Sequence, residues 1–176
     1  MNTFDKLYPQ AKKLRLLVTR ACDRNCPKCA NKNHDLDALP VITGFGGFEE
    51  VILTGGEPML KPELVLDTIT AVRVLNPDAK IYVYTARVGA TDAALDVAFE
   101  SDGMTVTLHE QADVEPFLAF AVVGKELLPK RNMRLHVFEG IKLPFSVLAG
   151  WKLKRCTWVD DCPVPEDEVF GRLPGA

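Results

Sequence analysis

Residues 50–85, "EVILTGGEPMLKPELVLDTITAVRVLNPDAKIYVYT", predict a strand, a helix and a second strand. The short apolar run Glu50–Thr54 stops at two glycines, as a buried strand does before a turn. Apolar residues then recur at helical spacing from Pro62, which suits a first helical turn, to the turn residues Asn76–Asp78. Ile81–Thr85 is again a short run of strand-forming residues. The stretch therefore predicts a βαβ unit with parallel strands.

The same alternation of strand and helix patterns continues on both sides of this unit. Further strands are expected at Leu14–Thr19, Met104–His109, Asn132–Phe138 and Trp151–Trp158, and further helices at Thr91–Glu100, with Thr91 as its cap, and Asp113–Leu128. At about 30 residues per unit, the chain holds roughly five or six units, whereas a closed eight-fold barrel takes about 250 residues. We therefore predict an α/β fold, a partial (βα) barrel of roughly five or six parallel strands.

The predicted domain organisation is one core domain and a short tail. The core domain is expected over residues 1–159, and the C-terminal tail over residues 160–176. The tail is rich in proline and acidic residues, so we expect it to lie over the surface.

Composition limits the classes of function. The 176 residues are 47% apolar and carry a net charge of −3, so no basic excess indicates nucleic-acid binding. No apolar run reaches the ~18 residues of a membrane span, and the N-terminus lacks the order of a signal peptide. We therefore expect a cytoplasmic protein without a membrane or nucleic-acid partner. Cytoplasmic thiols stay reduced, so the five cysteines favour metal binding or redox chemistry over disulfides.

Three of these cysteines lie in "RACDRNCPKCAN", residues 20–31, directly after the first predicted strand. Chemistry in parallel sheets collects at such carboxyl ends of strands. A structural zinc site needs four donors, and Cys26 and Cys29 form only half of a zinc ribbon. A zinc-stabilised binding module without catalysis is therefore the less favoured alternative. The three thiolates of Cys22, Cys26 and Cys29 can instead hold an iron–sulfur cluster that leaves one iron open for a ligand.

The C-x3-C-x2-C spacing, followed by "TGGEP" after the second strand, resembles the radical S-adenosylmethionine (SAM) superfamily. The resemblance implies that Cys22, Cys26 and Cys29 form the catalytic centre as ligands of a [4Fe-4S] cluster, whose open iron is chelated by the amino and carboxylate groups of SAM. It implies reductive cleavage of SAM to a 5′-deoxyadenosyl radical that abstracts a hydrogen atom, with the electron supplied by a flavodoxin- or ferredoxin-type donor. The residues implied to line the methionine moiety of SAM are Gly55, Gly56, Glu57 and Pro58.

The resemblance also implies SAM contacts on the next strand ends. Thr107 and His109 end the fourth predicted strand, where family members place polar groups near the SAM ribose. Thr85 and Arg87 follow the third, and a guanidinium suits the SAM carboxylate or a substrate anion. A surface salt bridge is an equal alternative for Arg87. Lys28 occupies the position where the family often has an aromatic residue. Its alternative role is a contact with a partner or a substrate.

The compact chain most resembles the activating enzymes of glycyl-radical enzymes, such as the activase of anaerobic ribonucleotide reductase. The resemblance therefore implies an oxidoreductase whose partner is a glycyl-radical enzyme. The alternative is a radical SAM enzyme that acts on a small molecule, such as a nucleotide-like or modified-base precursor. Cys156 and Cys162 would then serve substrate binding. Otherwise they form a redox pair, ligate a second metal incompletely or are buried small side chains, and their spacing leaves these alternatives open.

Overall fold

The computed structural model describes residues 11–144 and 149–176. Seven strands in these residues form one sheet with the spatial order β6-β5-β4-β3-β2-β1-β7, and every neighbouring pair is parallel. The strands are β1 Lys13–Thr19, β2 Glu50–Gly55, β3 Lys80–Thr85, β4 Gly103–Leu108, β5 Met133–Phe138, β6 Trp151–Cys156 and β7 Glu168–Arg172. The predicted α/β class and parallel sheet are confirmed, whereas β6 ends at Cys156 rather than at Trp158.

Three α-helices connect successive strands from β2 to β5: α1 Pro62–Leu75, α2 Thr91–Glu100 and α3 Val114–Val123. They pack side by side, α1 against α2 and α2 against α3. Pro62 opens α1 as predicted, but Ala90 rather than Thr91 is the cap residue of α2. α3 ends at Val123, with Gly124 as its cap, instead of reaching Leu128, because glycine disfavours a helix interior and a separate 3-10 turn that contains Pro129 begins at Leu128.

The two faces of the sheet differ in polarity and cover. One face of β3–β5 is apolar and buried together with the inner residues of the three helices in a single core. Side chains on the other face alternate with these and stay partly exposed, among them Tyr84, Thr107, Arg134 and His136. We call this second side of the sheet the inner face. Parallel sheets are usually covered on both faces, so this half-covered sheet offers a polar surface to a ligand.

The expectation that the tail lies over the surface is wrong for β7. This segment pairs in parallel with β1, and Val169 and Phe170 are 5% and 6% exposed. An ion pair between Arg15 Nε and Glu168 Oε1, 2.6 Å apart, joins the two strands. A Cβ at Gly171 would lie 2.6 Å from Ile42, so glycine allows this close packing. The strand count exceeds the prediction because β7 was missed.

The predicted core domain includes residues 1–10 and 145–148, which lie outside the described residues, as does most of the N-terminal segment used to judge a signal peptide. No helix in the described part of the chain has the length and apolar character to cross a membrane.

Candidate functional site

A cavity of about 350 Å³ lies at the carboxyl edge of the sheet. All five cysteines of the chain line it, those of the loop after β1 and also Cys156 and Cys162. Pro58 and Arg87 do not line it, although both were predicted to contact SAM. The other predicted site residues do line it: Gly55, Gly56, Glu57, Thr85, Thr107 and His109.

The cysteine loop and the glycine segment are bonded to each other. The backbone N–H of Gly56 donates to the Thr19 carbonyl at 2.7 Å, and the Asn31 side chain donates to the Gly55 carbonyl at 2.6 Å. A Cβ at Gly56 would lie 2.2 Å from the Ala21 carbonyl oxygen, and one at Gly55 2.4 Å from that of Thr19. Glycine was expected here for close approach to SAM. The structure adds a cause within the chain, because the end of β1 occupies the space of a side chain at Gly55 and the start of the cysteine loop that of one at Gly56.

Glu57 joins the ends of β2 and β3. Its buried carboxylate accepts hydrogen bonds from the Met59 N–H at 3.0 Å, the Thr85 hydroxyl at 2.5 Å and the Ala86 N–H at 2.9 Å. Burial raises the pKa of Glu57, and these three hydrogen bonds and the charge of Arg24 oppose that rise. All three hydrogen-bond donors to Glu57 belong to the chain itself. Glu57 therefore fixes the positions of the ends of β2 and β3 relative to each other.

Arg24, between Cys22 and Cys26, was not predicted as a site residue. Its guanidinium lies 2.6 Å from Asp113 Oδ1 and donates to the Ala86 carbonyl at 2.7 Å. The ion pair is largely buried, with the side chains of Arg24 and Asp113 18% and 6% exposed. Arg24 therefore attaches the cysteine loop to the end of β3 and to the start of α3. No spacing rule connects Arg24 with Asp113, and only the fold brings them together.

Two other cations near the loop have partners within the chain. Arg87 pairs with Asp23 on the cysteine loop, so the salt-bridge alternative describes its position. Lys28 Nζ lies 2.8 Å from Asp160 Oδ1, and the Asn33 side chain donates to the Asp160 carbonyl at 2.8 Å. Lys28 therefore makes an ion pair with the segment after β6, and its contact with a partner or substrate stays a prediction.

An aromatic wall bounds the cavity beside Cys26. The ring of His109 stacks on Trp158 with centroids 5.2 Å apart, and Phe138 lies 4.0 Å from Trp158. The Nδ1 atom of His109 is 3.9 Å from Cys26 Sγ. Burial lowers the pKa of His109, and the nearby charge of Arg24 lowers it further, so its imidazole is neutral near pH 7. Trp158 was not predicted in the site, because it belongs to no motif and was expected to be the last residue of the sixth strand.

The five thiols are unpaired. Burial raises the pKa of Cys26, and the neighbouring Cys29 and Cys22 raise it further, as sulfurs on one short loop do. Cys156 and Cys162 are partly exposed, so they are not buried small side chains, and their other proposed roles stay predictions. Within residues 11–144 and 149–176, no three His, Cys, Asp or Glu side chains are grouped so as to hold a metal ion.

A scan against protein-family models and a search of curated proteins found no match to this chain.

Proposed function

We propose that the chain is a radical SAM enzyme with a partial-barrel core. In this proposal Cys22, Cys26 and Cys29 hold a [4Fe-4S] cluster, and SAM occupies the adjoining cavity. One observation carries the proposal: the three loop cysteines and the glycine segment Gly55–Glu57 line a single cavity at the carboxyl edge of a parallel sheet. That edge is where α/β folds of this kind place their chemistry.

The chemistry of the donors suits such a group, although in the described residues the three thiols are not grouped as in a formed metal site. Thiolates are the usual ligands of iron–sulfur clusters, and all three loop cysteines are unpaired and face one cavity. The volume of about 350 Å³ falls within the range of roughly 300–1,000 Å³ that is typical of small-molecule sites. When bound, the cluster and SAM would supply reductive cleavage of SAM and the abstraction of a hydrogen atom.

The chain's own residues orient the site and exclude water from it. Arg24 and Glu57 hold the cysteine loop and the glycine segment against the end of β3. The aromatic wall of His109, Phe138 and Trp158 shields the side of the cavity near Cys26. A neutral His109 has one ring nitrogen that donates and one that accepts, so it can orient a polar ligand without adding charge.

The hydrogen donor has two candidates. The resemblance favours a glycine on a glycyl-radical enzyme partner, which would dock on the open inner face of the sheet. The second candidate is a small molecule, and unpaired positive charge on the inner face of β5 and β6 favours it, as argued below. Either reaction needs a low-potential electron donor of the flavodoxin or ferredoxin type.

The experiment is an anaerobic SAM-cleavage assay. The full chain is reconstituted with iron and sulfide, reduced and mixed with SAM, and 5′-deoxyadenosine is measured by chromatography. Wild type and Gly46→Ala, a control at a position with no atom within 4 Å of an added Cβ, are expected to form the nucleoside, whereas Cys26→Ala forms none.

Three results would change the proposal. Bound zinc without sulfide would replace it with the zinc-stabilised module. Iron and sulfide at full content with no nucleoside would refute SAM cleavage by the isolated chain. SAM cleavage without an EPR-detectable glycyl radical on any co-expressed reductase would remove the activase role and leave the small-molecule role.

A further inference from the structure

Four nitrogen-bearing side chains lie side by side on the inner face of β5 and β6. The parallel register pairs Arg134 with Lys152 and His136 with Lys154. Residues paired in this way point to the same side of a sheet, and alternate residues along each strand share that side. We call Arg134, His136, Lys152 and Lys154 the cationic face.

The cationic face lacks acidic partners among the described residues. The Arg134 guanidinium lies over the Tyr82 ring, 5.2 Å from its centroid, and makes no ion pair there. Lys152 donates only to the Asn132 side-chain oxygen, at 3.0 Å. The side chain of Lys154 has neither an ion pair nor a hydrogen bond within the described part of the chain. By contrast, Arg24, Lys28 and Arg87 beside the cysteine loop each make an ion pair with a carboxylate.

The positive charges act on one another. Burial lowers the pKa of His136, and the charges of Lys154 and Arg134 lower it further, so the positive charge of the cationic face belongs to Arg134, Lys152 and Lys154. Like charges gathered on one surface raise the free energy of the folded chain, and the chain as a whole is acidic, with a net charge of −3. A bound anion would remove this repulsion.

The cationic face continues into the cavity. His136 lines the cavity, and so does Cys156, which lies two residues beyond Lys154 on the same side of β6. A small molecule could therefore place one part in the cavity and a charged group on the cationic face. The patch spans only two strands, which is too small for the extended basic surface that nucleic acid requires.

We propose that the cationic face binds the phosphate group of a small-molecule substrate whose reacting part enters the cavity. The assignment to a substrate rests on the proposed function, whereas the anion site itself does not. A guanidinium can bind phosphate oxygens through two parallel hydrogen bonds, and lysines add point charges. The proposal thus favours a phosphorylated small molecule over a glycine on a partner protein as the hydrogen donor.

The test uses inorganic pyrophosphate as the probe and isothermal titration calorimetry on the full chain, before and after cluster loading. Wild type is expected to bind pyrophosphate saturably, and more weakly as salt is added. The double variant Lys152→Gln/Lys154→Gln is expected to bind about a hundredfold more weakly, since each lysine supplies a charged hydrogen-bond donor worth about tenfold. The matched control is Lys125→Gln, an exposed lysine just after α3, which is expected to bind as wild type does.

A second variant separates charge from folding. Lys152→Arg/Lys154→Arg keeps both charges and is expected to retain binding within about threefold, because the loss in the glutamine variant is electrostatic. The proposal is overturned if wild type does not bind pyrophosphate, if Lys125→Gln loses as much affinity as the double variant, or if the tricarboxylate citrate binds more tightly than pyrophosphate. Pyrophosphate binding without any SAM cleavage would instead refute the proposed function and leave the anion site standing.

Discussion

Replacing Arg24 with alanine removes the largely buried ion pair to Asp113 and the hydrogen bond to the Ala86 carbonyl. Breaking a fully buried pair costs about 3–5 kcal/mol, because the remaining charge has no partner. Asp113 keeps two backbone donors, the N–H groups of His109 and Glu110, so we expect the lower end, about 3 kcal/mol. At about 2–4 °C per kcal/mol for a chain of this size, Tm falls by about 6–12 °C.

The measurement is urea unfolding of the reduced, cluster-free chain under anaerobic conditions, followed by circular dichroism. The matched control is Arg20→Ala, whose partner Asp37 is 85% exposed, and its expected cost is about 1 kcal/mol or less. Combining Arg24→Ala with Asp113→Asn should cost less than the sum of the single variants, since both remove one interaction. Equal losses in the Arg24 and Arg20 variants, or additive effects of Arg24 and Asp113, would refute the reasoning.

Three further predictions concern the same edge of the sheet. Gly56→Ala should lower the free energy of unfolding measured in urea by about 2 kcal/mol, because the added Cβ would overlap backbone atoms. Gly46→Ala should leave it near the wild-type value, and equal effects of the two substitutions would contradict the prediction. Because the pKa of Glu57 is raised in the folded chain, this group contributes most stability below its ordinary pKa of 4.5, and the contribution is lost as pH rises through the folded pKa. The stability advantage of wild type over Glu57→Gln should therefore shrink as the pH rises above about 4.5, and parallel pH–stability curves would exclude this contribution. Cys156→Ala should keep the iron content that Cys26→Ala loses, and iron loss in both would make Cys156 a ligand.

Most strands and helices could be predicted because each carries its own local pattern. The apolar run Glu50–Thr54 and the helical spacing of apolar residues after Pro62 each show, within a few residues, which side chains are buried. The structure has β2 and α1 at these places. β7 had no such pattern, since Gly171 interrupts it and a proline- and acid-rich segment precedes it. It is a strand because the edge of β1 offers its backbone groups and because Arg15 pairs with Glu168.

The candidate site could be predicted only where the spacing of residues carries the information. The three loop cysteines and the glycine segment follow consecutive parallel strands, so their meeting at one edge follows from the strand order. The partners of individual charges could not be predicted in this way. Arg87 suited an anion by its chemistry, yet it pairs with Asp23, and Arg24 carried no motif, yet it holds the loop.

The sequence by itself determined the α/β class, the position of the cysteine loop after a strand and the glycines that follow the next strand. Tertiary structure alone decided that Cys156 and Cys162 line the same cavity, that β7 completes the sheet edge and that the cationic face makes no ion pair among the described residues. The physical reason is the distance along the sequence over which each kind of information acts. Periodicity reports the burial of residues close in sequence, whereas the partner of a distant side chain depends on strand register and on which face of the sheet the helices cover.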